Sequence, residues 1–192
     1  MAHFSVVLDV ESPRPIPRVK VPWMIARTVA EAHLFMDIAG AAPGKRGHQL
    51  KAAGDTLVSV YHCETDRGVR AFEFVVEATE IDGGAFGGEA PSRLLGPAQF
   101  LLESDRLTRE VPGSPDGLDS TQRAAAQRRL NRAALCLDEV LKFFTDGKGR
   151  LSLGDMRTVT GGHLYRREPG RFDRARVEVV AQTYRKLAAA MD

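Results

Sequence analysis

The spacing of apolar residues changes character near the middle of the chain. In the first half they cluster in β-branched runs or alternate with polar neighbours; beyond Pro91 they recur every three or four positions. "HFSVVLDV" (3–10) predicts a strand, and "SPRPIPRVKVP" (12–22), with four prolines in eleven residues, predicts an extended connection. A short helix is expected from Thr28, where Thr28 and Glu31 make an S/T-x-x-E capping box. Val29, Ala32, Phe35 and Met36 supply its apolar face and Gly40 its stop. The polar, glycine-rich run 39–55 predicts a loop. "TLVSVYH" (56–62) and "VRAFEFVVEATEI" (69–81) predict two strands, the second setting Phe72, Phe74 and Val76 against Ala71, Glu73 and Val75. "DGGAFGG" (82–88) closes this β-rich half.

In the second half, Pro97 suits the first position of a helix carrying Phe100, Leu101, Leu107 and Val111. "PGSPDGLDS" (112–120) breaks that helix, and Asp119 or Ser120 caps a long one over about 120–144. Its stripe of Leu130, Ala134, Leu137, Leu141 and Phe144 advances by 4, 3, 4 and 3 residues. A last helix over about 171–190 is expected to bury Phe172, Val179, Val180 and Leu187. The pattern predicts an α+β fold, a small antiparallel β-sheet joined to a C-terminal helical bundle. We read one domain over 1–192, with a β-rich half 1–88 and a helical half 89–192.

Composition narrows the class. The chain has 192 residues, 43% hydrophobic and 27% charged, which is ordinary for a globular protein and argues against wholesale disorder. No signal-peptide pattern opens it and no apolar run reaches the length of a membrane span, so the expectation is a cytoplasmic protein with no membrane partner. Two cysteines, Cys63 and Cys136, do not make a disulfide framework. The net charge of +2 hides a split. Residues 1–120 carry 12 Lys/Arg against 17 Asp/Glu, whereas residues 121–192 carry 15 against 8. Such asymmetry fits a nucleic-acid face, an acidic protein partner, or attraction between the two halves.

Four segments carry a resemblance: "TVAEAHLFMDI" (28–38), "FGGEAPSRLLGPAQFLLESDRL" (86–107), "DEVLKFF" (138–144) and "EPGRFDRARVEVVAQTYR" (168–185). Through them most of the chain resembles an uncharacterised bacterial family, found chiefly in actinobacteria and myxobacteria, with paired C-x-x-C zinc-ribbon motifs. The resemblance implies one pair after the capped helix, at Ala41 and Gly44, and a second at Cys63 and Asp66, with 18 residues between the pairs. Ala41 and Gly44 offer zinc no donor side chain. The ribbon is therefore degenerate, and no bound metal or cofactor is expected. The family brings no activity to carry over.

Other constellations are weaker. "GGAFGGEAPS" (83–92) lacks the Gly-Lys-Ser/Thr of a phosphate loop and reads as a hinge. "FFTDGKGRLSLGDM" (143–156) would put Lys148 where calcium needs oxygen, so it reads as a turn. His33 and Asp37 lie one helical turn apart, and a catalytic site would need them to meet His62. Cys136 reads as a small buried hydrophobe. Arg128, Arg129 and Arg132 gather on the long helix away from Leu130, Leu137 and Leu141, with Arg171, Arg174 and Arg185 similarly placed on the last helix. These residues suggest a partner-binding surface. The reading is a non-enzymatic protein-interaction module, such as a toxin-neutralising immunity protein or an accessory subunit. The alternative is a nucleic-acid-associated protein derived from a zinc-ribbon ancestor.

Overall fold

A computed structural model describes residues 23–42, 44, 46–77, 86–145 and 147–191. The expected strand at 3–10, the proline-rich connection 12–22 and most of the glycine hinge lie outside the described residues. The protein is α+β. Its elements are β1 (Met24–Ala26), α1 (Val29–Ile38), β2 (Arg46–Ala53), β3 (Thr56–Thr65), β4 (Gly68–Val76), α2 (Pro97–Arg109), α3 (Ser120–Leu141), α4 (Val159–Arg167) and α5 (Arg174–Ala189).

Three features of the sheet differ from the sequence expectation. The run expected as a loop contains β2, which pairs antiparallel with β3 from Arg46↔Cys63 to Ala53↔Thr56. β2 has no β-branched residue, so cross-strand pairing, not propensity, makes it a strand. The sheet also gains β1, in the order β1-β4-β3-β2. Because β1 runs parallel to β4, through Met24↔Phe74, the sheet is mixed and not wholly antiparallel. The expected strands at 56–62 and from 69 onward are present as β3 and β4.

α1 forms where its cap predicts. Thr28 accepts the Glu31 N–H at 3.2 Å, and Gly40, at φ +83°, takes the left-handed turn that ends the helix. The reciprocal bond of the box is displaced by one residue: Glu31 accepts from the Arg27 N–H, at 2.6 Å. α1 lies on one sheet face, where Ala32 and Met36 join Ala26, Ala41, Tyr61, Cys63, Phe72 and Phe74 in a buried cluster. Its Leu34 enters a different cluster, the core of the helical half, so the helix ties the two halves together.

That larger core is built from α2, α3, α4 and α5 around Phe100, Leu101, Leu137, Val140, Leu164, Phe172, Val177 and Ala181. Pro97 opens α2, as its fixed φ favours. Asp119 caps α3 by accepting the Gln122 N–H at 2.8 Å. α3 stops at Leu141, and Phe143 and Phe144 continue it only as tight turns. Val111 falls beyond α2 and packs beside Leu130, Ala188 and Met191.

The last helix turns a different side inward from the one expected. Phe172 is buried, yet it lies in a short 3-10 turn, Pro169–Phe172, before α5. Val177, Ala181, Tyr184 and Ala188, at steps of 4, 3 and 4, form the inner stripe. Val179 and Leu187 are 65% and 43% exposed, which corrects their assignment to the core. α4 was not anticipated. Gly161 and Gly162 lower its helix propensity, but a Cβ at Gly161 would stand 2.9 Å from Ala98 Cβ. The glycine allows α4 to pack directly on α2.

Candidate interaction surface

The positions at which the resemblance would place the two cysteine pairs are drawn toward one place. The Ala42 N–H donates to Glu64 O at 2.8 Å, and the Cβ position of Gly40 lies 4.0 Å from Asp66 Oδ1. Ala41 and Cys63 share the sheet cluster. Cys63 is fully buried, with Sγ 3.6 Å from Met36 Sδ. Burial is the main cause that pushes its thiol up from the ordinary value. Zinc has no fit here, since Ala41 and Gly44 have no donors. Among the described residues no group of three or more His, Cys, Asp or Glu is arranged to hold a metal. Cys136 is also fully buried, in the helical core.

The polar candidates of α1 face the sheet edge. Tyr61 is held between two imidazoles, His48 stacked at 4.6 Å and His33 edge-on at 5.4 Å. Burial, followed by the positive charge of Arg46, lowers the His33 pKa. Asp37 pairs with Arg46, whose Nε is buried without a hydrogen-bond partner among the described residues. His62 is not part of this group. It pairs across to Gly47 and, one position from Tyr61 and Cys63, points to the opposite sheet face. His33, Asp37 and His62 are therefore not assembled into one site.

The three arginines of α3 have different surroundings. Arg128 is exposed. Arg129 forms an ion pair with Glu110 at 2.9 Å. Arg132 stacks over the Phe86 ring, 3.7 Å from its centroid, and burial lowers its pKa. On the last helix, Arg174 and Arg185 pair with Glu178 and Asp138, and Arg171, in the preceding turn, grips Asp105 through two bonds of 2.6 and 2.8 Å. Arg129 and Arg171 thus reach carboxylates of residues 1–120, whereas the Arg174–Glu178 and Arg185–Asp138 pairs lie within 121–192 and leave its basic surplus unchanged.

An ionic network that the sequence did not announce lies between the halves. Arg27 donates to Glu31 Oε1 through Nε and Nη2, to Glu139 Oε2 at 2.7 Å, and to Ala90 O at 2.5 Å. Glu139 also accepts from Lys142, which donates onward to the carbonyls of Gly87 and Gly88. Glu31 and Glu139 are 0% and 2% exposed. Burial alone would lower the Arg27 pKa, but the bonds Arg27 donates to Glu31 and Glu139, with their negative charge, outweigh it and raise it. Two cations and two carboxylates thus join β1, α1, the 86–90 segment and α3 with balanced charge. The two buried carboxylates each have a cationic partner, as buried charges require.

Two open hollows mark the helical half. One of 480 Å³ is lined by Leu102, Thr160, His163, Leu164, Arg166 and Arg167. The other, of 340 Å³, holds the Asp105–Arg171 pair on its wall. The first brings Thr160 and His163 to one wall with Arg166 and Arg167.

The sheet exposes an edge at β2. Six of the eight residues of β2 are exposed, and among the described residues β2 pairs with β3 alone. The register is continuous, with no bulge or proline. Leu50 and Leu57, 66% and 65% exposed, are diagonal neighbours on the face that bears Tyr61, beyond the reach of α1. Comparisons with protein-family models, curated proteins and solved structures give no match to this chain. No helix among the described residues is long and apolar enough to cross a membrane.

Proposed function

We propose that the protein is a non-enzymatic, cytoplasmic protein-interaction module, acting as an immunity protein that neutralises a toxin or as an accessory subunit of a larger assembly. One observation carries this reading: the regular β2 edge, exposed along its length beside Leu50 and Leu57. An edge with no further strand among the described residues is a template for pairing with another chain, and exposed leucines beside it add apolar area to bury. The balanced Arg27–Glu31–Glu139–Lys142 network supports the same view, because it makes a rigid body instead of a reactive site. Under this reading Cys63 is a packed remnant of a zinc ribbon. The nucleic-acid alternative draws on Arg128, Arg129 and Arg132. With Arg129 paired and Arg132 stacked, the geometry gives protein docking the stronger support.

The test is a native mass spectrum of the tagged chain isolated gently from its own cells. A discrete complex with a second protein is expected. A bare chain from every preparation, together with salt-sensitive retention of nucleic acid, would sink the proposal.

A further inference from the structure

We infer that β2 is the docking site, and that its occupant is an extended acidic segment of the partner, added as a fifth strand. This inference rests on the interaction reading above and names its surface and partner class. The charged side chains of β2 are Arg46 and Lys51, with His48 between them; the strand has no carboxylate. Alternation places Arg46, His48 and Leu50 on the face toward α1, and Gln49 and Lys51 on the other. An added strand therefore meets the exposed Lys51 on one face and Leu50 on the other, with Arg46 drawn against Asp37 at the strand's start.

Arg46 is partly neutralised by Asp37, whereas Lys51 is exposed near the hairpin tip. Cross-strand neighbours of opposite charge stabilise pairing and like charges oppose it. A second copy of the chain would bring another β2, again without a carboxylate to meet Lys51, so a self-paired dimer gains nothing from these charges. Lysine on an edge is a known deterrent to such pairing. The same side chain favours a strand carrying Asp or Glu opposite it. The occupant is thus a segment with an apolar residue level with Leu50 and an acidic residue beside Lys51, the latter on the alternate face.

The probe is a capped peptide alternating glutamate and valine, compared with its lysine–valine counterpart, against the full chain. Binding is read from backbone amide shifts. The acidic peptide should shift the amides of 46–53 saturably, and Lys51→Glu should weaken it about tenfold while improving the basic peptide. Equal binding of both peptides, or shifts centred away from β2, overturns the inference. A photo-crosslinking residue at Gln49, or separately at Val179 on the exposed side of α5, is then used in the source cells. A crosslink at position 49 to an acidic segment supports the inference. Crosslinks at 179 alone overturn it but leave the interaction reading standing, and none at either site removes both.

Discussion

Replacing Arg27 with methionine removes the one cation among the described residues that touches both Glu31 and Glu139. The methionine keeps much of the apolar stem but leaves Glu31 with only the backbone N–H of residue 27 and its neighbours. Glu139 retains Lys142 at 2.5 Å. The Ala90 carbonyl loses its donor. Removing one partner of a buried ion pair costs roughly 3–5 kcal/mol, because a charge is stranded away from water. For a domain of this size each kcal/mol lowers Tm by about 2–4 °C, so the variant should melt roughly 6–20 °C below the native protein. Circular dichroism melts and urea titrations at fixed pH measure this directly. Arg27→Lys should recover part of the loss, since it restores charge without the two-pronged grip on Glu31. Adding Glu31→Gln to Arg27→Met should cost less than the sum of the two single changes. A Tm within about 2 °C of native for Arg27→Met would refute the argument that this network holds the halves together.

Three further outcomes follow from local geometry. Gly161→Ala should destabilise by about 1–3 kcal/mol, because the new methyl meets Ala98 Cβ at 2.9 Å between two helices; chemical denaturation measures it, and an unchanged midpoint would contradict the close packing of α4 on α2. The lowered His33 pKa means the unfolded chain takes up a proton that the folded chain resists, so stability is full above the unfolded value near 6.5 and declines as pH falls below it. Melts of the native protein and His33→Phe between about pH 7.5 and 5.5 should show a shallower acid decline in the variant; parallel curves would remove His33 as the cause. Burial pushes both thiols up, so Cys63 and Cys136 should resist a thiol reagent until urea unfolds the chain, and rapid labelling of the native protein would contradict their packing.

The helices were legible where one signal sufficed. Thr28, Pro97 and Asp119 mark helix starts by local chemistry, and the 4-3-4 stripe of α3 needs no knowledge of its neighbours. β2 was not legible because "RGHQLKAA" has no strong strand preference and becomes a strand only by facing β3. α4 was hidden by its glycines, whose reason lies on α2. In α5 both Val177 and Val179 are valines, and only the phase set by α3 decides which is buried. The site was less legible than the fold. Arg128, Arg129 and Arg132 looked alike in sequence, yet their surroundings depend on Glu110 and Phe86, which are distant in the chain. Glu31 was visible as a capping residue, but Glu139, the other carboxylate that Arg27 holds, lies 112 residues beyond Arg27. No short-range pattern announces such a network. The β2 edge became visible only with the register and the order of strands.

The most direct measurement is amide hydrogen exchange on the free full-length chain, resolved residue by residue across β2, β3 and β4. If β2 is an open docking edge, alternate amides between Arg46 and Ala53 exchange rapidly, those directed away from β3, while the rest of β2 and the interior of β3 stay protected. Uniform protection along β2, matching β3, would mean the edge is already covered and would contradict the account.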